Sequence, residues 1–340
     1  MAASTTTGIL RVAQSERDFS GVGSIERCRS SFDDHGMHVR AGKDERGSLM
    51  PEDQIVELTK RIARSVQTTI GWIFWDPGAV ERFEALGVPG PLGYIASRCA
   101  PLSGAGPQAV NAAFGSISPL GIALAFEIVR TPDRFAELWR ARDEAVVEGV
   151  RAHAPAIEAP LVEAAADLWQ VVEALPVVGR VLFGAVLGMD RPDDPLLSGW
   201  HAINAVREWR GDTHWALVVA AGLTHPEASI LHNAWLGYED DWLARSRGTS
   251  EEDLAAGWAA LRDRGLVVDG RVTPEGIALR QWIEDETDRL TTLPWELFGA
   301  QRTRALAEAL EPPCELLLGR VDVTAGPNYQ PASRIRPAAD

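Results

Sequence analysis

The densest run of side chains suited to chemistry is Arg207-Glu-Trp-Arg-Gly-Asp-Thr-His214. It combines arginines, carboxylates and a histidine, a set that serves acid–base chemistry on an anionic substrate. Glu208 or Asp212 can orient His214 as a general acid or base, and Trp209 offers a flat apolar surface for a substrate. We therefore predict Glu208, Asp212 and His214 as catalytic residues and Trp209 as a substrate-binding residue.

A second set of residues is expected to bind the substrate. Arg207 and Arg210 can hold a carboxylate or an enolate-like oxyanion. His201 and Asn204 precede Glu208 on the same predicted helix, at spacings that place all three on one face. Three residues from an apolar stretch further upstream are expected to line the same cavity: Arg98, Asn111 and Phe114.

These residues also have structural interpretations. Asp212 can instead cap a helix, while the neighbouring arginines pair with carboxylates and join two domains. Arg98 either anchors a ligand anion or pairs with an acid in the core. Asn111 and Phe114 can serve packing, and His232 is expected to be a hydrogen-bonded core histidine.

The sequence contains no familiar metal or cofactor motif. HExxH, GxSxG, GxGxxG and P-loop patterns are absent. The three cysteines are widely spaced and form no CxxC pair, so we expect reduced thiols rather than disulfides or a zinc site. The expected chemistry therefore uses neither a metal nor a cofactor.

The elements that position these residues are expected to be mainly helical. Ile55, Leu58, Ile62 and Val66 recur at helical spacing, and strand-like alternation is scarce. The chain is predicted to divide into a disordered tail over 1–52, a helical domain over 53–211, a winged-helix-like domain with a closing helix over 212–311, and a loose tail over 312–340. The polar run then lies at an inter-domain seam, a common place for a ligand site.

Residues 212–290 have the order of elements of a winged helix. Helices are predicted to begin at the capping residues Asp212, Thr224 and Ser250. Asp269-Gly270 lies within a short apolar stretch and is typical of a β-hairpin, and a further helix follows. Three helices, a hairpin and a helix predict a winged helix-turn-helix with a small β-hairpin wing.

The charge of this segment argues against nucleic acid as a partner. The chain has a net charge of −15, and residues 212–290 carry seven basic and fifteen acidic side chains, a net charge of −8. The predicted recognition helix opens with Ser250-Glu-Glu-Asp253, where phosphates would have to approach. We expect a small-molecule substrate, aromatic or anionic, and the twelve tryptophans suit an aromatic one.

No apolar run is long enough to cross a bilayer, so we expect a cytoplasmic protein. A homodimer is an open alternative to a monomer.

The sequence resembles the actinobacterial MarR-like helix-turn-helix proteins of the SalK type, which are often found near secondary-metabolite genes. The resemblance covers about residues 61–309, and its motifs include Gly93–Leu102, Arg207–His214 and Leu261–Leu266. Trp209 stands where these proteins usually have a histidine. The resemblance implies the fold and says little about activity, because fold alone does not establish function.

Three functions are compatible with these features. The leading hypothesis is a small-molecule-binding, catalytic protein of bacterial secondary metabolism and antibiotic biosynthesis, a cyclase or lyase without a cofactor. A Pictet–Spengler-type cyclisation of an indole substrate is one concrete case. The alternatives are a MarR-like, ligand-responsive transcriptional regulator and a non-catalytic protein that sequesters a metabolite.

Overall fold

Helices make up nearly all of the regular structure in residues 51–325, the part of the chain that this computed structural model describes. The helices that precede the polar run are α1 Glu52–Gly71, α2 Pro77–Ala85, α3 Gly90–Cys99, α4 Pro107–Ala113, α5 Pro119–Val129, α6 Pro132–His153, α7 Glu158–Ala174 and α8 Val181–Leu187. The mainly helical fold expected from the sequence is confirmed. The tail predicted over 1–52 lies outside the described residues, except for its end, where α1 begins.

The second half of the chain adds a small hairpin to the helices. Its elements are α9 Pro195–Ala220, α10 His225–Trp235, α11 Trp242–Ser246, α12 Glu251–Asp263, β1 Val267–Val268, β2 Arg271–Val272, α13 Pro274–Leu290, α14 Leu293–Phe298 and α15 Ala300–Thr324. The strands pair antiparallel, with Val267 opposite Val272. Asp269 and Gly270 both have positive φ, as a two-residue hairpin turn requires. None of the described helices has both the length and the apolar character to span a bilayer.

The long helix α9 connects two hydrophobic cores. The larger core is built from α1 to α9 together with α14 and α15, and it includes Val206 and Trp209. The smaller core is built from α9 to α13, and it includes Val218 and Leu231. The polar run Arg207–His214 therefore lies where one core ends and the other begins.

One predicted helix boundary is wrong, because no helix ends near Arg210 and Asp212 does not cap the next. Helix α9 runs without interruption through both residues. Its true start is capped by Asp194, whose side chain accepts the backbone N–H of Leu197. Gly211 resembles a stop signal, but a glycine inside a helix costs only about 1 kcal/mol, and α9 packs closely against α7.

The loose tail predicted from residue 312 is also wrong for residues 312–324, which form the second half of α15. Pro312 and Pro313 lie inside this helix, where proline normally favours a break. Leu317 and Val321 are buried, and α15 packs along α1. Tertiary packing of the apolar face thus outweighs the local cost of the prolines.

Candidate functional site

A cavity of about 860 Å³ lies beside the polar run of α9. Its size falls within the range of small-molecule sites, about 300–1,000 Å³. The aromatic side chains in its wall include Phe74, Tyr94, Phe114, Trp209, Trp215 and Trp235. Within residues 51–325, no three His, Cys, Asp or Glu side chains are grouped so that they could hold a metal ion.

Most of the predicted site residues meet at this cavity. Those that line it are Arg98, Phe114, Arg207, Glu208, Trp209, Arg210, Asp212 and His214. His201, Asn204 and Asn111 lie outside the lining. His201 is buried with its Nε2 2.9 Å from the Asp143 carboxylate, and Asn204 is buried one turn further along α9. Sharing a helix face with Glu208 does not bring them to the cavity, because the lining on α9 begins only at Val206.

Arg98 and Arg207 share the carboxylate of Glu208. Arg98 Nη2 lies 2.8 and 2.9 Å from its two oxygens, and Arg207 Nη1 lies 2.7 Å from one of them. Arg207 also donates through Nε to the side-chain oxygen of Gln67. Burial alone would raise the pKa of Glu208, but the two guanidinium groups hold it below its usual value. Glu208 is therefore an ionised anchor for two arginines rather than a proton-transfer group.

A second ionic cluster joins α9 to α13. Arg210 Nη2 lies 2.7 Å from Asp288 and 3.3 Å from Glu284, and Arg280 also pairs with Glu284. Burial would raise the pKa of Glu284, but Arg280 in particular holds it well below its usual value. The positive charges of the two arginines are matched by the negative charges of the two carboxylates in this cluster.

His214 is neutral and has a defined tautomer. Its Nδ1 lies 3.0 Å from Thr287 Oγ1, and that hydroxyl donates its single proton to the Ile283 carbonyl at 2.6 Å. His214 must therefore donate from Nδ1, which leaves Nε2 as an acceptor. Burial lowers the pKa of His214 to about 3. A helix N-terminus does not contribute to this lowering, because His214 lies well inside α9.

Asp212 lines the same cavity, but its pKa is shifted upward, whereas that of Glu208 is shifted downward. Its carboxylate accepts the backbone N–H of Phe183 at 2.9 Å. Burial raises the pKa of Asp212 to about 6, with the hydrogen bond from Phe183 acting in the opposite direction. Among the three predicted catalytic residues, Asp212 thus has the pKa best suited to proton transfer near neutral pH.

The predictions from sequence missed the part of the lining contributed by α10 and α13. Ser229 and His232 lie three residues apart on α10, and Arg280 lines the cavity from α13, which packs against α10. His232 was expected in the core rather than at a cavity. The available signal was Arg280, a cation between the apolar residues Leu279 and Ile283.

The chain that forms this site matches one known protein family. A family model described as a helix-turn-helix family matches residues 59–323. No curated protein and no solved structure matches the chain. The match extends over most of the sequence and includes both ionic clusters. The chain therefore belongs to this helix-turn-helix family.

Proposed function

We propose that this protein binds an anionic aromatic small molecule in the cavity and acts on it by cofactor-free acid–base chemistry. The observation that carries the proposal is the sharing of one carboxylate, Glu208, by Arg98 and Arg207. These arginines are only 11% and 16% exposed, and with the single carboxylate of Glu208 they form a buried cluster with a net charge of +1. Burial lowers the pKa of Arg207 despite its partner. A ligand anion would restore the balance of charge.

The aromatic part of the ligand is inferred from the rings around these arginines. The Arg98 guanidinium lies 4.8 Å from the centre of the Phe114 ring. Trp209 and Trp215 extend the aromatic wall along α9. A flat ligand whose carboxylate meets Arg98 and Arg207 can therefore stack along the same wall.

Ligand charge provides the test of binding. We expect biphenyl carboxylate to bind more tightly than its uncharged carboxamide when tryptophan fluorescence is titrated. Arg98→Met leaves Arg207 and Glu208 as a neutral pair and should remove this preference. Arg191→Met is the matched control, because Arg191 also pairs with an acid, Glu173, and stacks on a tryptophan, but lies outside the cavity lining. Equal affinities of the carboxylate and the carboxamide for the wild type would overturn the proposal.

Asp212 is the residue that we propose for proton transfer. Its pKa near 6 and its place in the lining support this role. Product formation from a panel of aromatic carboxylic acids, followed by mass spectrometry, is the test. Asp212→Asn should abolish the product while leaving substrate affinity within about twofold. If the wild type binds these acids and yields no product, the protein is a sequestering protein instead.

A ligand-responsive regulator with a MarR-like winged-helix domain is the second candidate, favoured by membership of a helix-turn-helix family. Its DNA-facing surface would be acidic, because Glu251, Glu252 and Asp253 are exposed at the start of α12. Arg245 is paired with Glu251, whereas Arg271 is exposed on the hairpin. Gel shifts with DNA from its gene neighbourhood distinguish the two candidates: binding that weakens steeply with salt favours the regulator, and no shift at low salt removes it.

A further inference from the structure

Two unpartnered donors lie in the cavity wall contributed by α10 and α13. Ser229 and Arg280 are 2% and 3% exposed, and both line the cavity. Within the described residues, Ser229 Oγ and Arg280 Nη1 are buried without a hydrogen-bond partner. Buried polar atoms in folded proteins are nearly always paired, so unpaired donors in a cavity wall indicate an acceptor that arrives with a ligand.

We propose that Ser229 and Arg280 form a second subsite, which binds an uncharged carbonyl-type oxygen of the ligand; this inference rests on the proposed function. Helices α10 and α13 pack against each other. Arg280 lies with its guanidinium carbon 5.4 Å from the centre of the Trp235 ring on α10. His232 lies one turn from Ser229 on α10, and Arg280 is the largest influence after burial in lowering the pKa of His232. Ser229 and Arg280 therefore lie in the same part of the cavity wall.

The second ionic cluster, in which two arginines pair with two carboxylates, favours a neutral acceptor beside Arg280. Arg210 and Arg280 are already matched by Glu284 and Asp288. His214 adds no charge at neutral pH, because burial lowers its pKa to about 3. A ligand carboxylate would place an unbalanced negative charge beside Glu284, whereas a ketone, amide or quinone oxygen can accept from Ser229 and Arg280 without one.

The spacing along α9 gives an approximate length for the ligand. Arg207 belongs to the anion subsite, and His214 lies beside the second ionic cluster, where it and Glu284 shift each other's pKa. The two residues are seven positions apart, which corresponds to about 10 Å along a helix. Two linked rings or two to three fused rings span this distance. The inferred ligand is thus a flat aromatic molecule with a carboxylate at one end and a neutral carbonyl at the other.

Three probes test the second subsite: biphenyl carboxylate, the same compound with an acetyl group at the far para position, and the corresponding dicarboxylate. We expect the acetyl compound to bind the wild type about tenfold more tightly than the parent, as one or two added hydrogen bonds allow. The dicarboxylate should not bind more tightly than the parent. Ser229→Ala should remove the acetyl advantage without lowering the melting temperature, because its hydroxyl has no partner to lose.

Ser103→Ala is the matched control. Ser103 is also buried but lies outside the lining, and its hydroxyl donates to the Ala100 carbonyl. The Ser103→Ala substitution should lower the melting temperature, because it removes this hydrogen bond, and should leave the tighter binding of the acetyl compound intact. Equal binding of the acetyl compound and the parent, with the carboxylate still preferred over the carboxamide, would overturn the second subsite alone. Tightest binding of the dicarboxylate would do the same. Failure of every probe to bind, or no preference for the carboxylate, would overturn the proposed function itself.

Discussion

The carboxylate of Asp212 accepts the backbone N–H of Phe183 at 2.9 Å and so connects the middle of α9 to the first turn of α8. Helix α8 begins at Val181, and its own capping position, Arg180, provides no side-chain cap. Asp212 thus satisfies an N-terminal N–H of a neighbouring helix, as a capping residue would. The sequence predicted Asp212 as the cap of a helix that starts there; that helix start is wrong, and the carboxylate instead caps the neighbouring helix α8.

Asp212→Asn is expected to stabilise the protein at neutral pH. The folded-state pKa of about 6 exceeds the ordinary value of 3.8, so the contribution of Asp212 to stability is complete below about pH 4 and is lost as the pH rises through 6. Asparagine keeps an acceptor for Phe183 and has no charge to bury. We expect a gain of about 1 kcal/mol at about pH 7, after allowance for solvent screening, and no gain at about pH 4. Urea unfolding at both pH values measures this, and an equal change at both would contradict it.

Glu208→Gln is expected to destabilise the protein strongly. The change leaves Arg98 and Arg207 buried without their shared anion, and breaking a buried pair of this kind costs about 3–5 kcal/mol. The midpoint of urea unfolding measures the loss. Glu158→Gln is the control, because Glu158 pairs with Arg151 at the exposed surface and should have no measurable effect. Similar midpoints for the two variants would show that the Glu208 cluster does not stabilise the fold.

The polar run could be found from the sequence because its charged side chains are dense in an otherwise apolar helix. Its position between two cores could not, since Gly211 and Asp212 resemble a helix end followed by a cap. The continuity of α9 depends on its packing against α7, which local sequence does not encode. His201 was predicted at the site and lies outside the cavity lining for a related reason. Helical spacing gives the face of a helix but not where along that face a cavity begins.

Other features depend on contacts that cannot be deduced from residue types. Ser229 lies in an apolar helix, where a serine is ordinarily a packed core residue, and its lack of a partner is visible only in the structure. Glu208 was a reasonable candidate base until the structure showed two arginines on its carboxylate. Capping and turn signals therefore predicted the helices that begin after Thr224 and Ser250 and the hairpin at Asp269-Gly270, whereas the protonation of each site residue followed from its partners.

Gly115→Ala is expected to disturb the aromatic wall. A methyl group at this position would overlap the Trp215 ring, which also lies edge-on to His214 and stacks on His225. Overpacking of this kind costs about 1–3 kcal/mol, and the displaced ring should weaken the binding of biphenyl carboxylate. Gly104→Ala is the matched control, because Gly104 is exposed and a methyl group there meets open space. Indistinguishable affinity and stability for the two variants would show that Gly115 does not position Trp215.

His214→Asn should make the protein less sensitive to acid. The folded-state pKa of His214, about 3, lies below its ordinary value of 6.5, so the stability that depends on its neutral form is complete above about pH 6.5 and declines as the pH falls. Asparagine can keep the hydrogen bond to Thr287 and does not titrate. We expect the wild type to lose about 1–2 kcal/mol more than the variant between about pH 7 and pH 5. Urea unfolding across this range tests the difference, and NMR of the imidazole provides a second measurement. Titration of His214 above pH 5 would contradict the assignment of a buried, neutral ring, and with it the argument that Asp212 is the better proton-transfer group.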